Sequence, residues 1–278
     1  MTAKLFNRTW KIKAQSPDGE VREWVDIDFE ASVVKTEHEE PNETTLTIYN
    51  LSKDSRAFLS KKGTTIEISA GYKDTSGVIS KGQIDTVTSK HDGTTWATEI
   101  QILDGARAAR NVKISETFKA GTAYQSIFNK LIDLLTAQTE EKEIPPLKRG
   151  NIDLSAVTGN INSAMTLKDL AIDRFSQLCK SFNLRWYVID GALYTAKSNL
   201  SIANDLIELN PGSGLIGRPE QTEKGYKVMS LLRHEFQPGL AFLLKSESLE
   251  SRLIIRMLTH TAATRGDFTT ELECEIFG

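Results

Sequence analysis

The chain holds only 2 cysteines, 7 prolines and 4 histidines in 278 residues. The two cysteines, Cys179 and Cys274, lie far apart at apolar positions of their segments. They read as buried free thiols rather than a disulfide framework. No run approaches the ~18 apolar residues that a membrane-spanning helix requires. The first residues, Met-Thr-Ala-Lys-Leu-Phe-Asn-Arg, place no apolar stretch behind their positive charges, so no signal peptide is expected and assembly in a cytoplasm is. Basic excess is also missing: 34 Lys and Arg face 37 Asp and Glu, mixed along the chain, which argues against a nucleic-acid footprint.

Recognisable catalytic and metal motifs are scarce as well. None of His38, His91, His234 and His260 has a second His or Cys at ligand spacing, and His38-Glu39-Glu40 is not a zinc helix. No phosphate loop, dinucleotide fingerprint or nucleophile elbow is present. Asp74, between Gly71 and Gly77, sits where glycines suit a turn better than a phosphate. Adjacent Glu39 and Glu40 would point to opposite faces of an extended segment, which is wrong for a glycosidase pair. The expectation is a non-enzyme, with no catalytic, cofactor-binding or metal residues and no cofactor. Trp10, Trp24, Trp96 and Trp186 fall within strands, where packing is the default and a carbohydrate platform the alternative.

What the chain has is strand pattern. Phe6 to Gln15 and Val21 to Val34 flank the turn Ser16-Pro17-Asp18-Gly19 and predict a hairpin. Thr44 to Tyr49 alternates Leu46 and Ile48 with threonines. Ser52 caps a short helix bearing Ala57, Phe58 and Leu59 and stopped by Gly63. Strands follow at Thr64 to Tyr72, Val78 to Thr88 and Thr95 to Leu103.

The period then changes. Thr122 with Gln125 predicts a capping box ahead of a helix carrying Ile127, Phe128, Leu131, Leu134 and Leu135. Glu140 to Gly150, with Pro145-Pro146, reads as a loop. Thr166 with Asp169 predicts a second helix faced by Leu167, Leu170, Ala171, Phe175, Leu178 and Phe182. A hairpin turns at Asp190-Gly191 between Leu184 to Ile189 and Ala192 to Ala196.

Strands return at Lys224 to Leu232, Gly239 to Ser246, Arg252 to Thr261 and Phe268 to Phe277, after the turn cluster Asn210 to Gly214. In the last, Phe268, Leu272, Cys274 and Ile276 share one face and Glu271, Glu273 and Glu275 the other. Trp96-Ala97-Thr98-Glu99-Ile100-Gln101-Ile102 echoes Phe268-Thr269-Thr270-Glu271-Leu272-Glu273-Cys274, each following a glycine-containing turn. The echo predicts two related β-domains around an α+β unit; chance likeness of amphipathic strands is the alternative.

Three stretches carry a resemblance. The first runs from Pro41-Asn42-Glu43 through Tyr49-Asn50-Leu51-Ser52 to Ala70-Gly71-Tyr72 and Gly82-Gln83-Ile84. The second is Leu215-Ile216-Gly217-Arg218-Pro219-Glu220 on to Gly225, with Ser230-Leu231-Leu232 and Pro238-Gly239. The third joins Leu258-Thr259-His260-Thr261 to Asp267-Phe268-Thr269-Thr270. Together they resemble the baseplate hub proteins of contractile phage tails, the phage late control protein D-like family with tail-tube-like β-barrels, and the hubs of related injection machines.

The resemblance implies a mainly β fold with an α+β insertion: a first tube-like β-barrel domain at 1–110, an α+β domain at 111–200 and a second tube-like β domain at 201–278. It also implies a structural virion protein, a homotrimer whose six barrels join a sixfold tail tube to a threefold central spike. The implied partners are the spike, the tail tube or tube-initiator protein and neighbouring baseplate proteins. DNA would pass without sequence-specific binding, and no membrane is involved. Glu271, Glu273 and Glu275, or Glu99 and Gln101, are candidates for a channel lining, with an ordinary solvated strand face as the alternative. A cell-wall-binding or polysaccharide-cleaving tail component, and a hub-like subunit of a non-contractile tail, are the rival functions.

Overall fold

The computed structural model describes residues 7–37, 42–104, 112–137, 147–197, 201 and 207–277. His38, Glu39, Glu40 and residues 140–146 of the expected loop lie outside them. The chain forms two compact units, one of Met1–Thr36, Asn42–Asp104 and Ser201–Gly278, the other of Glu37–Pro41 and Gly105–Leu200. The fold is mainly β. No helix among the described residues is long and apolar enough to cross a membrane.

The first unit begins with β1 (Arg8–Gln15), β2 (Val21–Trp24), β3 (Phe29–Thr36) and β4 (Glu43–Tyr49). Helix α1 (Lys53–Leu59) leads to β5 (Thr65–Tyr72), β6 (Thr75–Asp92) and β7 (Thr95–Leu103). Ser52 caps α1 as the sequence predicts, its side chain accepting from the Ser55 amide, and Phe58 and Leu59 are buried while Ala57 is exposed. The expected strand from Val21 to Val34 is interrupted. Asp26 at φ 55° turns the chain between β2 and β3, a conformation that Asp tolerates and that a continuous strand excludes.

The second unit holds β8 (Lys113–Phe118), α2 (Tyr124–Thr136), β9 (Lys148–Ile152), β10 (Met165–Leu170), α3 (Ala171–Ser181), β11 (Leu184–Ile189) and β12 (Ala192–Lys197). Its core gathers Ile127, Phe128 and Leu131 of α2, Phe175 of α3 and Trp186 of β11. The expected capping box at Thr122 and the expected helix start at Thr166 are both corrected. Ala123 precedes α2 without a side-chain cap, and the Thr122 hydroxyl donates to the Lys119 carbonyl instead. Thr166 and Leu167 belong to β10, paired antiparallel with β8, and the helix starts only after Asp169 at φ 86°. The hairpin β11–β12 turns through Asp190 and Gly191, both at positive φ as a tight two-residue turn requires.

The first unit continues after the insertion with β13 (Ile207–Leu209), β14 (Leu215–Gln221), β15 (Gly225–Leu231), β16 (Ala241–Lys245), β17 (Glu250–Ala263) and β18 (Phe268–Ile276). All its strands form one 13-stranded sheet with two hydrophobic cores. One core lies under β1 to β7, with Phe29, Leu46, Ile48 and Ile68; the other under β13 to β18, with Val228, Phe242 and Leu272. Antiparallel pairing of β3 with β17 joins them.

The halves of this sheet repeat one another. The order β3-β4-β7-β6-β5 matches β14-β15-β18-β17-β16 strand for strand, and each half adds one more strand in its own way, β1 antiparallel to β5 and β13 parallel to β16. In each half the long strand changes partner part-way: β6 pairs β5 through Gln83 and then β7, and β17 pairs β16 through Ile254 and then β18. A register shift marks both places, Ile84/Thr86 and Ile255/Met257. The sequence echo therefore falls on topologically equivalent strands, β7 and β18. Thr98 and Thr270 are both fully buried, as are Ile100 and Leu272. The last alternating residue departs from the pattern: Ile276 is 63% exposed at the strand end.

Candidate functional site: a continuous polar sheet face

Residues opposite one another on paired strands share a face, so the registers show which polar side chains lie together. One row crosses Glu99, Thr47, Glu30 and Ala263. The next crosses Gln101, Thr45, Ser32, Thr261 and Thr269. Two more cross Val34, Thr259, Glu271 and Met229, then Thr36, Met257, Glu273 and Lys227. The candidate acids Glu99 and Glu271, distant in sequence, thus stand on one face of one sheet, opposite the two cores. An open groove of about 390 Å3 runs over its middle, lined by Glu30, Ser32, Thr45, Thr47, Thr261 and Arg265 among others.

Local bonds order this face. Thr45 Oγ1 donates to Gln101 Oε1 at 3.0 Å, and Gln101 Nε2 donates to Glu99 Oε1 at 3.2 Å. Tyr49 donates to Glu30 at 3.1 Å, and partial burial followed by this carboxylate raises its phenol pKa. Lys227 lies 2.8 Å from Glu271, and this contact raises the lysine pKa. Arg256 Nε lies 2.7 Å from Glu275. Exposed pairs of this kind add little stability; they leave Glu30, Glu99 and Glu273 as exposed acids on a face rich in hydroxyls.

The remaining sequence candidates are dispersed. His260 is buried on β17 and its Nδ1 lies 2.8 Å from Thr270 Oγ1. Burial, then nearby Lys35 and His234, holds its pKa well below the usual histidine range. His234 packs its ring where a Cβ on Gly77 would stand, and Gly71 brings its backbone against Thr75 and Ser76. His91 lies 4.8 Å from Trp96, the ring planes tilted by 38°. Among the described residues no group of three or more His, Cys, Asp or Glu side chains could hold a metal ion. Trp10 packs on Phe29, Trp24 on Phe58 and Trp186 on Phe175. Only Trp96 of the four is exposed, and the Arg56 guanidinium lies over its ring at 3.8 Å. Glu30 and the Thr and Ser rows were missed by sequence reasoning, because their membership depends on β3–β17 pairing across more than 200 residues.

No protein-family model matches the chain, and no curated protein matches it. Solved structures do. The 43 kDa tail protein of prophage MuSo2 from Shewanella oneidensis aligns with a TM-score of 0.65 at 10% identity, over 96% of this chain and 98% of that one. A tail protein from Neisseria meningitidis MC58 aligns at 0.64 and 9% identity, over 98% and 97%. The fold is that of phage tail proteins. It extends to an E. coli component of the type VI secretion system, described as structurally similar to T4 bacteriophage tail proteins gp27 and gp5, at a TM-score of 0.60 and 9% identity over 91% of this chain and 74% of that one. In this tail-protein fold the polar face spans both repeated halves of the first unit.

Proposed function

We propose that the chain is a trimeric baseplate hub of a phage tail, a structural virion protein that joins a sixfold tail tube to a threefold spike and forms part of the DNA channel. The observation that carries this reading is the duplicated sheet with one continuous, mostly polar face. A trimer of duplicated halves offers six similar surfaces where three single domains offer three. In this reading residues 1–110 and 201–278 supply the two tube-like domains and 111–200 the α+β domain. The partners are the spike, the tail tube or tube-initiator protein and neighbouring baseplate proteins. The likeness to tail proteins and to a secretion component compared with gp27 and gp5 supports it.

The mass of the purified protein, alone and mixed with its spike, tests the reading. A trimer or a three-to-three complex is expected; a monomer in both conditions rejects it. The polar face is the channel wall in this reading, neutral to acidic so that a polyanion slides past rather than sticking. Glu99→Lys with Glu273→Lys, both exposed, should therefore slow DNA ejection severalfold while leaving tail assembly intact. Unchanged ejection from assembled tails would remove these residues from the wall.

A further inference from the structure

The duplication leaves one pairing without its counterpart. Within the chain, residues 257–263 of β17 pair antiparallel with β3, Thr261 opposite Ser32 and His260 opposite Val33. The strand equivalent to β17 is β6, and that equivalent to β3 is β14. Register makes the correspondence residue by residue. Met257 faces Glu273 as Thr86 faces Gln101, and His260 faces Thr270 as Ser89 faces Thr98. Even the side-chain contacts repeat: His260 Nδ1 meets Thr270 Oγ1 at 2.8 Å, and Ser89 Oγ meets Thr98 Oγ1 at 3.2 Å. On the other strand, Leu215 faces Ser230 as Phe29 faces Ile48, and Glu220 faces Lys227 as Ser32 faces Thr45.

Both counterparts are open. Among the described strands, β6 pairs β5 only as far as Gln83, so residues 86–92 have β7 on one side and no strand on the other. β14 ends the sheet path and pairs only with β15. Exposed strand edges of this kind are templates for another chain.

We infer that β14 of one copy pairs antiparallel with residues 86–92 of β6 in the next copy, repeating between chains the β3–β17 joint found inside each. Carrying the internal register across sets Lys90 opposite Glu220 and Ser89 opposite Gln221, so the pairing is charge-complementary. All four side chains are exposed. The contact is head-to-tail, because two different edges meet, so it excludes a two-fold dimer and forms a ring where its rotation closes, as the hub reading requires. Three residues, Gly217 to Pro219, stand in β14 where β3 has only Ala31 opposite Leu46, so β14 bulges by two; this bulge distinguishes the joint between chains from the joint within one. The inference rests on the hub reading for the number of copies, and on the sheet alone for the contact.

Cysteine pairs test it. Lys90→Cys with Glu220→Cys, and separately Ser89→Cys with Gln221→Cys, place thiols on directly opposed residues; adjacent pairs in an antiparallel ladder alternate in separation, so one of the two suits a disulfide. The native Cys179 and Cys274 are buried and do not compete. Mild oxidation should link at least one double variant into covalent oligomers ending at a closed trimer, with no link in the single variants. Trimers that stay unlinked in both double variants overturn the pairing and leave the hub reading standing. Linked rings of another number uphold the pairing and reject the trimer. Unlinked monomers throughout reject both. As a second measurement, Lys90→Glu should weaken assembly about two- to fivefold, the scale of a cross-strand charge pair, and Lys90→Glu with Glu220→Lys should restore it. A double variant as weak as the single overturns the register.

Discussion

Phe268→Ala is expected to lower the free energy of unfolding by about 3–5 kcal/mol, the cost of emptying a closed aromatic site. Phe268 opens β18 in the second half of the sheet, yet its ring belongs to the core of the first. It is 1% exposed, meets Tyr72 edge-on at 5.6 Å and lies beneath the Arg8 guanidinium at 5.0 Å. Its carbonyl accepts from the Leu232 amide at 3.0 Å. Alanine would leave a cavity among β1, β5 and β18, and the cavity adds to the lost transfer energy. The equivalent residue in the first half provides the control. Trp96, 36% exposed, should cost only about 1 kcal/mol when replaced by alanine, as for a rim residue. Urea midpoints at unchanged m-value measure both. Equal losses would show that Phe268 does not tie the two halves together.

The second large effect is a loss of stability in mild acid. His260 is fully buried and its pKa is depressed by burial, then by Lys35 and His234. Thr270 Oγ1 accepts from the Arg233 amide at 3.2 Å, which leaves its proton for His260 Nδ1. That bond suits the neutral ring. The unfolded chain takes up a proton near pH 6.5 and the folded chain resists it. The contribution of His260 is therefore fully present above the unfolded pKa. It declines as pH falls from there towards the folded value, by at most about 1.4 kcal/mol per pH unit. His260→Asn keeps an acceptor near the Nδ1 position and cannot titrate, so its stability should fall less steeply between neutral pH and pH 5. Lys35 on β3, and Arg233, His234 and Glu235 on the turn after β15, are unchanged in the comparison. Parallel profiles for the two proteins would take His260 out of the acid response.

Much of the fold was legible where a strand keeps one face dry along its whole length. Thr44 to Tyr49, Thr95 to Leu103 and Phe268 to Cys274 alternate as written because each is a central strand with one face buried. The first two lie over one core, and the last passes from that core at Phe268 to the other at Leu272 and Cys274. Ser52, the Asp190-Gly191 turn and the two buried cysteines were read correctly for similar local reasons. Thr122 and Thr166 misled because a helix-start pattern is only four residues of chemistry. Thr166 is instead held by β8, and its hydroxyl lies 2.9 Å from Thr117. Strand β14, with Gly217 and Pro219, carries too little pattern to be read without its partner β15. The polar face was half visible: Glu99 and Glu271 could each be seen on a strand face, but their presence on the same sheet rests on the β3–β17 pairing, which no local signal encodes.

The two thiols set how the protein meets changes of surroundings. Cys179 and Cys274 form no disulfide and are enclosed, and burial pushes the Cys274 thiol well above its usual range. A thiol that neither ionises nor reaches solvent is slow to oxidise or exchange. The fold consequently spends nothing on redox state. It should hold the same covalent form in a glutathione-rich cell interior and in aerated medium outside, with no bond to make on leaving one or break on entering the other.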